Sequence, residues 1–387
     1  MRIDAARVHV APLRLRRPFR TAAGETHDRP TILLELDAGD LTGVAECPAL
    51  PVATHGADDH ATALAALREA LVPALVPWGR APGEPSLAAL RGLAPDAPMA
   101  VSAALMALED LEARAAGLPL AEWLVRQPEG PAADAGGART PRAGAEARAV
   151  IGLAERADDA VRAATELVEA GYRRLKLKVS PEAGLDGARA VRKAFPGVPL
   201  AVDANGSFAA PASGGAAAAA ARLAELDALG LEFIEQPLAP ADLAGHAQLR
   251  RELRTPIGLD ESAVGHAAAR RAIEAGACDA LNVRPALCGG HREALRILAA
   301  CRDAGVRAWC GGYLEAGVGR AHAIAFARHP ALTLGADLSA SERYWERDVA
   351  SPAASLNADG LLVGPAGAGC GVDATLPRPR RRPRNGA

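Results

Sequence analysis

The chain has 387 residues, half of them apolar, with 44 basic and 46 acidic side chains. That length supports a large core and two domains. A formal net charge of −2 gives no reason to expect nucleic acid or an anionic membrane as a general partner, and no apolar run reaches the ~20 residues of a membrane span. Aromatic residues are only 3% and alanine dominates, so the expected core is Ala, Leu and Val on helices packed against buried strands. Six scattered cysteines (Cys47, Cys278, Cys288, Cys301, Cys310 and Cys370) form no C-x-x-C pair and read as reduced thiols. The start of the chain lacks a signal-peptide apolar stretch, so a cytoplasmic protein is expected.

Residues 1 to about 50 read as β-rich: Arg7–Val10 and Leu13–Leu15 alternate, Thr31–Leu36 is a second run, and Gly43–Cys47 a third. A loop with a glycine hinge, Pro18 to Thr26, lies between them. Helices are expected over Ala61–Leu75 and Met99–Ala116, the latter with Val101, Leu105, Leu108 and Leu111 at helical spacing. Residues 1–124 therefore form an α+β unit. Residues 125–147, rich in Pro, Gly, Ala and Arg without periodicity, read as a mobile linker or insertion.

A different rhythm follows. Short apolar runs end in Lys178, Asp203, Glu235, Asp260 and Arg284, separated by 25, 32, 25 and 24 residues, and Gly311 comes 27 further on. A strand, loop, helix and return loop take roughly that many residues. The long interval contains a Pro-Ala-Ser-Gly-Gly-polyalanine stretch at Ala209–Ala221, expected as a loop and helix start away from the strand tips. Charges arriving at successive strand ends predict a (β/α) barrel over 148–340 whose tips converge on one site. Leu356–Asp373, with Asn357-Ala358-Asp359-Gly360 between apolar runs, reads as a hairpin in a 341–375 segment returning to the first unit. The arginine-rich residues 376–387 read as a disordered solvated tail.

Asp203, Glu235 and Asp260 are candidate ligands for a hard divalent cation such as Mg²⁺, which takes oxygen donors; the alternative is helix caps or ion pairs. Lys176 and Lys178 are two apart and share a strand face. With Leu175, Leu177 and Val179 filling the other face, the lysines point inward, where they need anions. Lys178, nearer the tip, is the candidate base, and burial with a nearby cation favours release of its proton; the alternative is a solvated pair like Arg173 and Arg174. The glycine pair Gly311-Gly312 would let a ligand approach the backbone closely.

Lys-x-Lys, Asp203-x-Asn205, Ile234-Glu235-Gln236-Pro237 and Asp260-Glu261-Ser262, in this order, resemble the enolase superfamily in its muconate-lactonising-like branch. The runs Trp309–His322 and Asp337–Trp345, with Pro18–Thr21 and Gly369–Asp373, resemble the o-succinylbenzoate synthase / N-succinylamino acid racemase group. The resemblance implies an α/β fold: a modified (β/α)8-type TIM barrel under an N-terminal α+β capping domain completed by C-terminal residues. It implies Mg²⁺ (with Mn²⁺ as a substitute) on Asp203, Glu235 and Asp260, Lys178 as acid/base with Lys176 beside it, and Asn205 and Glu261 behind the ligands. Gly311, Gly312 and Tyr313 would line the substrate, and the cap loop with Phe19 and Arg20 would close over it. The implied partner is a small carboxylate, with the oligomeric state open, and the implied step is removal of a proton α to a carboxylate.

One departure separates the activities within the group. The group places a second lysine where this chain has Arg284, followed by Pro285-Ala286-Leu287. Arginine stays protonated and is a poor base. Racemisation needs a base on each face of the α-carbon, whereas syn elimination of water needs one. The expectation is a dehydratase, with a racemase and a non-catalytic ligand-binding relative as alternatives.

Overall fold

The computed structural model describes residues 2–21, 24–53, 57–78, 86–131, 140–208 and 215–374. Five strands open the chain: β1 (Ala5–Ala11), β2 (Arg14–Thr21), β3 (Gly24–Asp28), β4 (Thr31–Ala38) and β5 (Leu41–Cys47). β1, β4 and β5 form an antiparallel sheet in that order, while β2 and β3 pair as a separate ribbon. Helical residues follow from His60 to Trp78, as α1 (His60–Ala65), a π-helical stretch and α2 (Val72–Trp78). Then come α3 (Leu87–Leu93), α4 (Pro98–Ala115) and α5 (Leu120–Val125). The period of two along β4 divides its side chains: Ile32, Leu34 and Leu36 pack with α4, whereas Leu33 joins the core shared with the barrel. α4 starts with Pro98, and the Asp58 carboxylate accepts from the amides of Met99 and Ala100, which have no partner within the helix.

β6 (Ala145–Glu146) and β7 (Arg148–Ile151) lead into the repeat. It runs α6 (Ala157–Glu169), β8 (Arg174–Lys178), α7 (Leu185–Ala194), β9 (Leu200–Asp203), α8 (Gly215–Asp227) and β10 (Ile234–Glu235). It continues with α9 (Leu243–Glu252), β11 (Ile257–Leu259), α10 (His266–Glu274), β12 (Ala280–Val283), α11 (Pro285–Cys288), α12 (Gly290–Asp303), β13 (Arg307–Cys310) and α13 (Gly317–Ala327). β7 to β13 form one seven-stranded sheet in chain order, with parallel neighbours. Ala336 pairs parallel with both Ala147 and Cys310, so one residue joins the first strand to the last as a minimal eighth strand. The modified barrel expected from the sequence is the fold observed.

The strands sort their side chains by face. Leu175, Leu177, Leu200 and Val202 pack outward with Ala160, Ala164, Ala188 and Val191 of the helix layer. Inside, Ala201, Phe233, Ala280, Trp309 and Leu334 form a separate cluster. Phe233 and Trp309 stack at 4.4 Å, and Gly258 leaves room for them: a Cβ there would lie 2.9 Å from Trp309. Small residues thus admit a large aromatic pair, and the charged residues lie above it.

Two cap carboxylates fasten the cap to the barrel by accepting from free amides at helix N-termini. Glu109 of α4 accepts from His291 and Arg292 of α12, and Glu46 of β5 accepts from Ala316 and Gly319 at the start of α13. Near the end, β14 (Ala350–Ser351), β15 (Leu361–Leu362) and β16 (Asp373–Ala374) are each two residues long. The hairpin expected over 356–373 contracts to one bridge, Leu356–Leu362; β15 pairs with β6 instead, and β16 with β14. Cys370 donates its amide to Asp110 on α4, which ties this segment to the cap. Within the stretch read as a linker, Ala145 and Ala147 are buried, Ala145 paired with Leu362 of β15 and Ala147 with the barrel-closing Ala336. Residues 132–139, the loop part of the alanine-rich stretch (209–214) and the tail 376–387 lie outside the described residues. All six cysteines are free and buried, and none of the described helices is long and apolar enough to cross a membrane.

Candidate active site

Strand register sets the level of the site. Lys178 pairs with Asp203, Asp203 with Glu235, and Glu235 with Gly258, two residues before Asp260. Because Leu175 and Leu177 face the helix layer, Lys176 and Lys178 point into the barrel. Asp203, Glu235 and Asp260 are only 2%, 0% and 3% exposed, so all three bring their charge into the interior.

Each carboxylate meets a cation. Lys178 Nζ donates to Asp203 Oδ2 at 2.6 Å and to Asn205 Oδ1. Lys176 Nζ donates to Glu235 Oε2 and Asp337 Oδ2, both at 2.6 Å. Arg284 Nη2 donates to Asp260 Oδ2. Burial works against charge on Lys176, but Asp337, Glu235 and Asp203 outweigh it and raise its pKa. Burial also opposes ionisation of Asp203, yet Lys178 and Lys176 hold it well below the usual carboxylate range. Glu235 goes the other way: burial, and then the charge of Asp203, push it well up. Asp260 is pushed up to about 6 by burial, with Arg284 opposing and Glu261 and Asp203 adding to the rise.

The donor chemistry fits a hard dication. Burial, and then neighbouring negative charge, raises two of the three carboxylates, and an all-oxygen set suits Mg²⁺. Asn282 Nδ2 donates to Glu235 Oε1 at 3.2 Å, while Asn282 Oδ1 is buried without a hydrogen-bond partner among the described residues. Among the described residues, the group that gathers three ligand atoms within 4.8 Å is a different one, Asp110, His322 and Cys370. There Arg114 donates to both Asp110 and Cys370, and a fixed cation at those ligands opposes a metal. At the strand tips, by contrast, the oxygens are drawn apart toward Lys178, Lys176 and Arg284.

Other expected residues fall around this layer. Asn205 Nδ2 donates to Glu261 Oε1 at 2.9 Å, so the two do meet behind Asp203 and Asp260. Tyr313 lies under the Arg284 guanidinium, 5.6 Å from ring centroid to Cζ. The glycine pair serves the protein's own atoms. A Cβ at Gly311 would be 2.1 Å from Asn282 Oδ1 and 2.6 Å from Arg284 Nε, and one at Gly312 would be 2.4 Å from the Asp337 carbonyl. Phe19 and Arg20 sit on β2, paired with Thr26 and Glu25 of β3; their side chains lie outside the described set.

Three residues of the site carry no expectation from the sequence. Asp337, beside the barrel-closing residue, accepts from Lys176, from Arg148 and from Trp309 Nε1. Arg148, fully buried at the start of β7, spans Asp337 and Glu232 and lies 4.9 Å over Phe233. Gln236, in left-handed backbone at φ 39°, accepts from Asp260 N and Ser262 N and so fixes the neighbouring strand tip. The Gln-Pro after Glu235 and the run that Asp337 opens are the sequence signals among these, and neither carried a role for its residue.

A barrel with three carboxylates on consecutive strand tips, two inward lysines and an antiparallel cap defines a class of protein. Residues 2–124 match the mandelate racemase / muconate lactonizing enzyme N-terminal domain and residues 159–377 the enolase C-terminal domain-like family; the chain belongs to the enolase superfamily. It is 40% identical over 380 residues to N-succinylamino acid racemase of Thermus thermophilus, covering 97% of this chain and 96% of that one. It is 38% identical over 365 residues to o-succinylbenzoate synthase of Geobacillus kaustophilus, covering 93% and 90%. Among solved structures, an enolase superfamily member from Listeria innocua matches with a TM-score of 0.83 at 31% identity, covering 97% of this chain and 95% of that one. These relatives support an enzyme acting on a small molecule and divide between a synthase and a racemase.

Proposed function

We propose that the chain is an o-succinylbenzoate synthase, which dehydrates 2-succinyl-6-hydroxy-2,4-cyclohexadiene-1-carboxylate to o-succinylbenzoate, a step of menaquinone biosynthesis. The observation that carries this reading is Arg284, a permanent cation paired with Asp260 where the resembling group has a lysine. The cap is residues 1–124 with 341–375, and the barrel is 148–340. Asp203, Glu235 and Asp260 would hold Mg²⁺, which would supply positive charge for the carboxylate as its α-carbon loses a proton. Neutral Lys178 takes that proton at Nζ, breaking the C–H bond. Charge moves into the carboxylate, where Arg284 offers a fixed cation. The protonated Lys178 returns its proton to the departing hydroxyl on the same face, water leaves and the ring becomes aromatic. Lys176, held by Glu235 and Asp337, stays protonated and supplies charge without exchanging protons.

Purified protein with Mg²⁺ should aromatise this substrate, followed by ultraviolet absorbance, and Lys178→Ala should abolish turnover. Wild-type protein without turnover would sink the reading. The second reading, an N-succinylamino acid racemase, is favoured by the 40% identity to the Thermus enzyme. It requires α-proton exchange from both enantiomers of an N-succinylamino acid.

A further inference from the structure

Tyr313 and Leu287 come from the barrel, yet both pack in the core of the cap. Tyr313 is 8% exposed, and its ring lies under Arg284. The ring that flanks the proposed fixed cation is therefore seated in the cap, and its position depends on how the cap grips the loop after β13.

Two buried cap residues make that grip. Arg29, between β3 and β4 and fully buried, donates from Nη2 to the carbonyls of Pro48 at 2.7 Å and Tyr313 at 3.3 Å. Glu46, also fully buried, accepts from Thr31 Oγ1 at 2.6 Å, Ala316 N at 2.9 Å and Gly319 N at 2.8 Å. The loop between these anchors is strained: Leu314 has φ 54°, a left-handed conformation that a bulky side chain adopts only when its surroundings enforce it. Tyr313 N also donates to Glu315 Oε1 at 2.7 Å, which tightens the same turn. A buried arginine spent on carbonyls and a buried carboxylate spent on amides are costly arrangements to keep for cap folding alone. Both converge on one six-residue loop of the other domain.

We propose that Arg29 and Glu46 are positioning residues: they hold the loop Gly311–Ala316 in its strained form and thereby keep the Tyr313 ring against Arg284. Neither touches the reacting atoms. This rests on the proposed role of Arg284, so the test has one arm independent of turnover. In hydrogen exchange followed by mass spectrometry, the amides of residues 313–319 should exchange about tenfold faster in Arg29→Met and Glu46→Gln, with α4 protection unchanged. Arg29→Lys should restore part of the protection. In turnover, Arg29→Met should lower kcat about tenfold with KM within about twofold, as loss of one aligned cation–π contact implies. In a Tyr313→Ala background it should cost nothing more. Should Arg29→Met not fold, Arg29→Lys and Glu46→Gln carry both arms. Unchanged loop exchange, exchange raised equally across the cap, or losses that simply add in the double variant would overturn the proposal. Absence of any wild-type turnover would count against the proposed reaction, and the exchange pattern would then decide this inference by itself.

Discussion

Arg284→Lys separates one-base from two-base chemistry. Lys178 and Arg284 arise from strands on opposite sides of the carboxylate layer, one engaged with Asp203 and the other with Asp260. A lysine at 284 would place a titratable amine where the chain now carries a permanent cation. Well-placed general acid–base catalysis contributes about 10²- to 10⁴-fold. The enantiomer whose α-hydrogen faces position 284 should gain exchange by that factor. The same change removes a planar cation from the Tyr313 ring, a contact worth about 0.5–2 kcal/mol, so dehydration should slow about 2- to 30-fold. The assay incubates each enantiomer of an N-succinylamino acid with enzyme and Mg²⁺ in D₂O and follows the α-proton by NMR. Wild type should exchange one enantiomer and Arg284→Lys both. Comparable wild-type exchange from both enantiomers would refute the reasoning, because a second base would then act without a lysine at 284.

Gly311→Ala should move Arg284 or Asn282 aside, since the new Cβ would lie 2.6 Å and 2.1 Å from them; urea denaturation should show a loss of about 1–3 kcal/mol, with turnover falling as well. Dialysis against a chelator should abolish turnover and added Mg²⁺ restore it, and at a hundredfold its Kd the ion should stabilise the fold by about 2.7 kcal/mol in thermal denaturation. Calorimetry should also show Mg²⁺ tightening o-succinylbenzoate, with two carboxylates, more than benzoate, with one; equal tightening would mean that the second carboxylate does not offset the metal's charge. Burial, and then the neighbouring His291, lower the pKa of His322 from 6.5 to about 4. Its neutral form is the folded one, so its contribution is complete above pH 6.5 and about 3 kcal/mol is lost as pH falls toward 4. His322→Gln should flatten that slope in denaturation curves at successive pH values.

The pattern of legible and hidden residues follows from what periodicity can carry. Lys176 and Lys178 were readable as inward because leucines fill the other face of β8, and the strand-tip acids because a repeat of about 25 residues returns them to one level. Asp337 sits beside a closing strand one residue long, which has no period to detect. Arg148 begins a strand, where sequence alone cannot tell a surface arginine from one buried under Asp337 and Glu232. Residues 140–147 have the composition of a linker, but Ala145 and Ala147 are buried by pairing that starts more than 180 residues later, at Ala336 and Leu361. Arg29 and Glu46 show the same limit. Their partners, Tyr313, Ala316 and Gly319, lie on the other domain, and no local pattern in the cap points to them.

Charge balance inside the barrel links the metal to the kind of substrate. Arg148, Lys176, Lys178 and Arg284 face Asp203, Glu235, Asp260 and Asp337, four cations against four carboxylates. The interior is thus neutral by count but uneven in space. Asp337 is held low by Lys176 and Arg148 against the effect of burial, whereas Glu235 and Asp260 are raised. The carboxylates that burial makes hardest to keep ionised therefore sit at the tips, where a dication would favour their charged form. Adding Mg²⁺ there, before Lys178 gives up its proton to become the base, leaves a surplus of two positive charges in this buried site. Such a surplus is costly when buried, and a ligand bearing two carboxylates removes it where a monoanion removes half. On that ground the substrate proposed here and the metal belong together: each makes the burial of the other less unfavourable.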